Sequence, residues 1–405
     1  MSGGHGHARE RQVREIAARL GVADFVFTAP PASKGKALRE ASGDGLLVVG
    51  SRGGVLQVKA RDPEKQSADS PQRAEAWSKK QWKKAVSQGE GTKREIARRA
   101  EAGSPLEVFP VRVAHLPSDR RQGYALSLSR DVDDWPTIVV LDHSGGAGLD
   151  LGFHPRAVCF MPRDWDWLQE RLRSVSATLT YVRRILTDQV HVPLGHEEDR
   201  YRQMRVADER VSEEEPSCFP YLADPDSVDV VGTAIFHDVI DKIWPDDGII
   251  SWSHPDQYRR VVELLDVVPP ELQGYVGRWF LAKRRELKEG RHWASGIGVL
   301  NHSNRLIYAC SHLRNWETEG HWQAEVALLT AVRHHQALES GAPATSATLG
   351  IGALVEDRPP RTGIAYFYFL LDGEQPHNVP LELRDYVASH YGVYDHQAGT
   401  VREAS

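Results

Sequence analysis

The sequence predicts a two-domain protein that mixes helices and strands, and three observations carry that expectation. The chain has 405 residues, more than one compact domain usually holds. Segments with apolar residues at helical spacing are interspersed with short runs rich in Val, Ile and Leu bounded by Gly and Pro. An acidic, proline-containing stretch, HEEDRYRQMRVADERVSEEEPSCFPYLADPDSVD, then separates two such sets. We read residues 1–190 as the first domain with its core in 8–103, residues 191–215 as an acidic linker, and residues 216–405 as a second α+β domain of no recognised family.

The first domain opens with RERQVREIAARLG, in which Val13, Ile16, Ala17 and Leu20 fall on one helical face and Gly21 ends the helix. DFVFTAP is a short strand closed by Pro30 and Pro31. GDGLLVVG and VLQVKAR are two strands joined by the turn SRGG, a hairpin. After a loop from Asp62 to Ser70, Ser70-Pro71 opens a long helical stretch reaching about Ala102, which Gly89 and Gly91 are expected to interrupt. LEVFPVRVAHL, YALSLS, TIVVLDH and AVCFMP read as further strands, and DWDWLQERLRSVSATLTYVRRIL as a helix or helix pair. Beyond the acidic stretch, SGIGVLN, RLIYACS, TLGIGAL and GIAYFYFLL are strand patterns, and HWQAEVALLTAVRHHQAL is an amphipathic helix.

Charge is unevenly spread. The net value is −6, yet residues 1–103 carry 20 Lys and Arg against 12 Asp and Glu. A basic domain suits a polyanion. The N-terminus lacks the apolar core of a signal peptide, and no run approaches the ~18 apolar residues of a membrane span, so a cytoplasmic location without a membrane partner is expected. Cys159, Cys218 and Cys310 are too scattered for a disulfide framework or a paired-cysteine zinc site and read as small buried hydrophobes. His5 and His7 are a glycine-flanked pair near the N-terminus and are assigned no role. His191 with His196, and His334 with His335, lack a third ligand at recognisable spacing. No nucleophile elbow, Walker-type loop or dinucleotide-binding loop is present, which argues against esterase-type hydrolases, ATPases and dehydrogenases.

One constellation carries chemistry. Asp44 starts one strand of the hairpin, and Gln57 and Lys59 stand two apart on the other, so the period of two places Gln57 and Lys59 on one sheet face with Asp44 beside them. An acid and an amide oxygen are hard ligands for Mg2+ or Mn2+, and an ammonium suits an attacking water or a phosphate. That set meets the minimal needs of phosphodiester hydrolysis: a bound cation, an activated water and positive charge for the transition state.

On these residues, GDGLLVVGSRGGVLQVKAR resembles the PD-(D/E)xK signature of the restriction-endonuclease-like superfamily, over roughly residues 8–103. The resemblance implies a mixed sheet flanked by helices, in the order helix, three strands, helix, strand, with VFT, LLVV and LQVK as the three strands. It places the metal-binding acid at Asp44, the second ligand at Gln57 and the lysine at Lys59, the glutamine being a departure shared with the QxK variants of Mrr-like restriction enzymes. It also places a first-helix glutamate at Glu15, with Glu40 in reserve, and a polar residue near the scissile phosphate at Gln88. The implied function is a Mg2+- or Mn2+-dependent endonuclease acting on DNA, with RNA as the other candidate polyanion and defence against foreign DNA as the setting. A second copy of the chain, or a partner from a defence system, would be the other contact.

Lys79, Lys80, Lys83 and Lys84 of the long helix are the residues expected to meet phosphates, while Trp77 and Trp82 among them fit a core face better than base stacking. A different reading keeps the fold without the chemistry: Gln57 brings no charge, and the chain would be a nucleic-acid-binding or scaffold module. A third makes the acidic C-terminal domain the functional centre, with the basic domain docked against it.

Overall fold

A computed structural model of the chain describes residues 4–20, 25–28, 44–103, 106–111, 124–126, 130–214, 221–226, 229–243, 255–289, 291–300, 304–316, 318–356, 363–373, 382–383 and 385–386. These divide into two compact units, one of residues 1–228 with 269–271, the other of residues 229–268 with 272–405.

The first unit is a mixed sheet between helical layers. Its elements are α1 (Gly4–Leu20), β1 (Val26–Thr28), β2 (Asp44–Val49), β3 (Arg52–Ala60), α2 (Pro63–Ser67), α3 (Pro71–Glu101), β4 (Leu106–Pro110), β5 (Tyr124–Leu126), β6 (Thr137–Asp142), β7 (Ala157–Phe160), α4 (Pro162–Leu172), α5 (Val175–Thr187) and α6 (Glu197–Glu214). The seven strands lie in the order β5-β4-β1-β2-β3-β6-β7. β1, β2 and β3 pair antiparallel, whereas β3 runs parallel to β6, through a crossover that includes α3, and β6 runs parallel to β7. The expected order of helix, three strands and helix is present. Two extra strands, β4 and β5, precede the strand that pairs with β3; β4 joins the far edge beside β1, and β5 pairs outside it.

Alternation along β3 sorts the two faces. Gly54 looks toward Leu179 of α5, and Gly45 of β2, on that same face, toward Arg14 of α1. The other face, with Val55 and Gln57, is roofed by α3 through Trp82, Ala85, Gly89 and Ile96. The hairpin turn is Gly50-Ser51, with Gly50 at φ 56°, and β3 begins at Arg52. Gly53 and Gly54 therefore belong to the strand rather than to the turn: a Cβ on Gly53 would stand 2.4 Å from the Trp135 ring.

Two expectations are corrected. α3 runs unbroken through Gly89 and Gly91, and at Gly89 the helix lies hard against the sheet; a Cβ there would lie 2.4 Å from Thr137 Oγ1. Within the 191–215 stretch, Glu197–Glu214 folds as α6, which buries Glu197, Arg200, Tyr201 and Met204 within the first unit. Its acidity reads as a linker, but Glu197 is neutralised by Arg200 and accepts the Tyr181 hydroxyl at 2.6 Å.

The second unit contains α7 (Val230–Asp241), α8 (Pro255–Asp266), most of α9 (Pro270–Lys288), β8 (Trp293–Val299), β9 (Arg305–His312), α10 (Glu319–Glu339), β10 (Ala347–Glu356) and β11 (Gly363–Asp372). Its sheet has the order β11-β10-β9-β8, with β9 and β10 parallel across α10. Trp322, Val326 and Leu329 of α10 cover one face, and Phe280 of α9 stacks on Tyr308 at 4.4 Å on the other. No helix among the described residues is long and apolar enough to cross a membrane.

Candidate active site

The hairpin register sets the candidate centre. Asp44 is the direct cross-strand partner of Gln57, so positions 44, 57 and 59 share one sheet face, as strand alternation predicts. The Asp44 side chain lies outside the described part. Lys59 Nζ donates to Gln57 Oε1 at 3.0 Å. The Gln57 side chain is fully buried, and among the described residues neither its Nε2 nor the buried Ser78 Oγ of α3 has a hydrogen-bond partner. A buried donor left without a partner costs about 1–3 kcal/mol, so a glutamine at that position calls for an account beyond packing.

Past Lys59 the same face continues into a second, tightly connected group. Arg61 N–H donates to Asp142 O at 3.0 Å, which carries the parallel ladder one residue beyond β3. The Arg61 guanidinium grips Asp69 through Nε (3.0 Å) and Nη2 (3.1 Å). His143, which follows β6, shares Asp69 at 3.1 Å through Nε2 while its Nδ1 accepts the Gly145 N–H at 3.0 Å. Hydrogen bonding from His143 first, and from Arg61, holds the Asp69 carboxyl below its ordinary range. Trp77 packs against His143, ring centroids 5.2 Å apart, with the Arg61 guanidinium 5.7 Å from its own centroid. Gln66 joins the pieces, donating to Arg61 O at 2.7 Å and accepting from Ser144 N at 3.0 Å.

The other expected site residues are placed elsewhere. Glu15 is exposed on α1, which covers the opposite sheet face: Val13 and Ala17 turn inward, so the residue midway between them turns out, and Glu15 is not brought to Gln57 and Lys59. Glu40 lies outside the described residues. Lys79, Lys80, Lys83, Lys84 and Gln88 are exposed on α3, away from the stripe of Ser78, Trp82, Ala85 and Gly89 that meets the sheet. Trp82 is a core residue and Trp77 is half-buried. A cavity of about 230 Å3, lined among others by Arg52, Pro136, Leu179 and Arg183, sits at the opposite end of β3.

Among the described residues no three His, Cys, Asp or Glu side chains converge as a metal cluster. His191 and His196 form exposed pairs with Asp150 and Asp199, and His334 is buried between Thr348 Oγ1 and Gly373 O. Burial pushes the Cys310 thiol up to about 12 and the Cys159 thiol higher still, which makes both poor nucleophiles; Cys218 lies outside the described residues.

Sequence reasoning missed Arg61, Asp69 and His143. The two-residue period from Gln57 through Lys59 to Arg61 was the one local signal available. No known protein family, curated protein or solved structure matches this chain.

Proposed function

We propose that the first unit is a metal-dependent nuclease of restriction-endonuclease-like build that hydrolyses phosphodiester bonds in DNA. The observation that carries this reading is the register of β2 on β3, which sets Asp44 opposite Gln57 with Lys59 next on the same face. The run α1-β1-β2-β3-α2-α3, with β3 parallel to β6, supports it further.

The donor types fit a hard divalent cation. Asp44 would supply a carboxylate oxygen and Gln57 the lone pair of Oε1 that Lys59 does not use, and Mg2+ commonly takes only one or two protein ligands, with water and substrate phosphate completing its shell. When bound, such an ion acidifies a water for in-line attack and offsets charge on the transferring phosphoryl group. Lys59 keeps an ammonium at the same point, 3.0 Å from the Gln57 oxygen, where it can orient a water or meet a phosphate oxygen. Gln57 adds no negative charge, so the site depends on Asp44 for its attraction to a cation. Glu15 takes no part in this reading. Defence against foreign DNA remains the proposed setting.

The test is cleavage of plasmid and linear DNA, modified and unmodified, by the wild type and Lys59→Ala in Mg2+, Mn2+ or chelator. Metal-dependent cutting that falls at least about 100-fold in the variant is expected, the scale of losing one transition-state charge contact. A second reading, a nucleic-acid-binding module without chemistry, is favoured by the complete burial of Gln57. It predicts salt-sensitive binding, indifference to chelator and no cutting in any arm.

A further inference from the structure

We infer that Arg61 grips a backbone phosphate of bound nucleic acid beside Lys59, and that Asp69 and His143 exist to aim it; this rests on the reading of the unit as a DNA-acting nuclease.

The row Gln57, Lys59, Arg61 runs along one face of a single extended segment, so Arg61 stands one alternation beyond Lys59 on the side where the proposed chemistry takes place. Nε and Nη2 are committed to Asp69, whereas Nη1 has no protein partner among the described residues. A guanidinium has five N–H donors in a rigid fork, so fixing one edge on a carboxylate sets the direction of the other, and with the Arg61 side chain 25% exposed that fork is suited to a phosphate.

The support behind that fork is unusually deep for a surface ion pair. The Asp69 side chain is 6% exposed and that of His143 is 1% exposed. Because Nδ1 of His143 accepts a backbone N–H, Nε2 is the ring nitrogen that donates to Asp69. Both ring nitrogens are thereby used, so His143 is a positioning residue rather than a proton carrier. Trp77 closes one side, and Gln66 holds the Arg61 carbonyl. An exposed Arg–Asp pair needs no buried histidine behind it; a guanidinium that must present one edge accurately does. The lysines of α3 have no such support and lie on the outward side of their helix.

The experiment is fluorescence anisotropy of a labelled DNA duplex with the full chain in chelator, over a range of salt, with melting followed in parallel. Arg61→Gln should weaken binding about tenfold and lower the slope of log Kd against log salt by about 0.9, one phosphate contact. Arg61→Lys should keep the slope and lose a few-fold in affinity, because charge survives but the fork does not. His143→Asn, which can still accept from Gly145 but cannot reach Asp69, should lose affinity at unchanged slope, and His143→Gln, which can reach Asp69, should recover it. If the wild type binds and Arg61→Gln changes only the melting midpoint, Arg61 is a structural clamp and the inference fails while the nuclease reading stands. If Arg61→Gln does not fold, wild-type affinity in Arg61→Lys overturns the inference in its place. Absence of salt-dependent binding by the wild type removes both readings.

Discussion

Gln57 is held between two opposed demands. Stability would favour an apolar side chain, since its amide nitrogen is buried without a partner among the described residues, while the proposed chemistry needs its oxygen. Gln57→Leu should therefore raise unfolding stability by roughly 1 kcal/mol and abolish cleavage; a urea titration and a plasmid assay on one preparation check both halves, and a variant that loses stability would show the amide to be structural. Asp69 has a different signature. Its carboxyl is held below the ordinary value of 3.8, so it contributes stability above that pH and loses it as pH falls through the lower folded value. Wild type and Asp69→Asn should differ in melting midpoint at neutral pH and converge only well below pH 3.8. The adjacency of Asp44, Gln57 and Lys59 was legible because hairpin spacing and strand alternation are local rules. The Asp69–His143 contact was not, since its partners are 74 positions apart and meet only because β6 lies against β3.

Among the elements, α3 shows where propensity misleads. Two glycines in a helical pattern read as a break, yet Gly89 lets the helix lie against β6 where any larger residue would strike Thr137. Alanine at an ordinary helical glycine stabilises by roughly 0.5–1 kcal/mol. At Gly89 the sign should reverse, with Gly89→Ala destabilising by about 1–3 kcal/mol, and Thr137→Ala in the same chain should recover part of the loss. A double-mutant cycle by chemical denaturation measures that coupling, and additivity would refute the close approach. The strands of the hairpin, the helix of the crossover and the strands of the C-terminal sheet were all readable from apolar period. α6 was not, because its acidic face dominates the sequence while only Glu197, Arg200, Tyr201 and Met204 turn inward.

Taken whole, the molecule has two cores. In the second, α7 and α9 cross so closely that a Cβ on Gly277 would fall 1.8 Å from the Gly232 carbonyl oxygen, a position no side chain can occupy. Gly277→Ala should therefore shift the unfolding of the second unit alone, and Gly89→Ala that of the first. Calorimetry on the two variants separates these outcomes, and a single transition displaced by both would mean that the units unfold as one.

The parallel pairing of β3 with β6 also has a temporal side. Val55 acquires Thr137 as its permanent neighbour only after all of α3, β4 and β5 have been synthesised, roughly 4–16 s later at ordinary translation rates. During that interval the hairpin offers the ribosome-bound chain an open, largely apolar edge, while α3 shields a single face of it. A fragment ended at Gly103 would carry Asp44, Gln57, Lys59 and Arg61 with that edge unpaired, so the nascent protein is open to edge-to-edge association while its proposed catalytic residues are already in place.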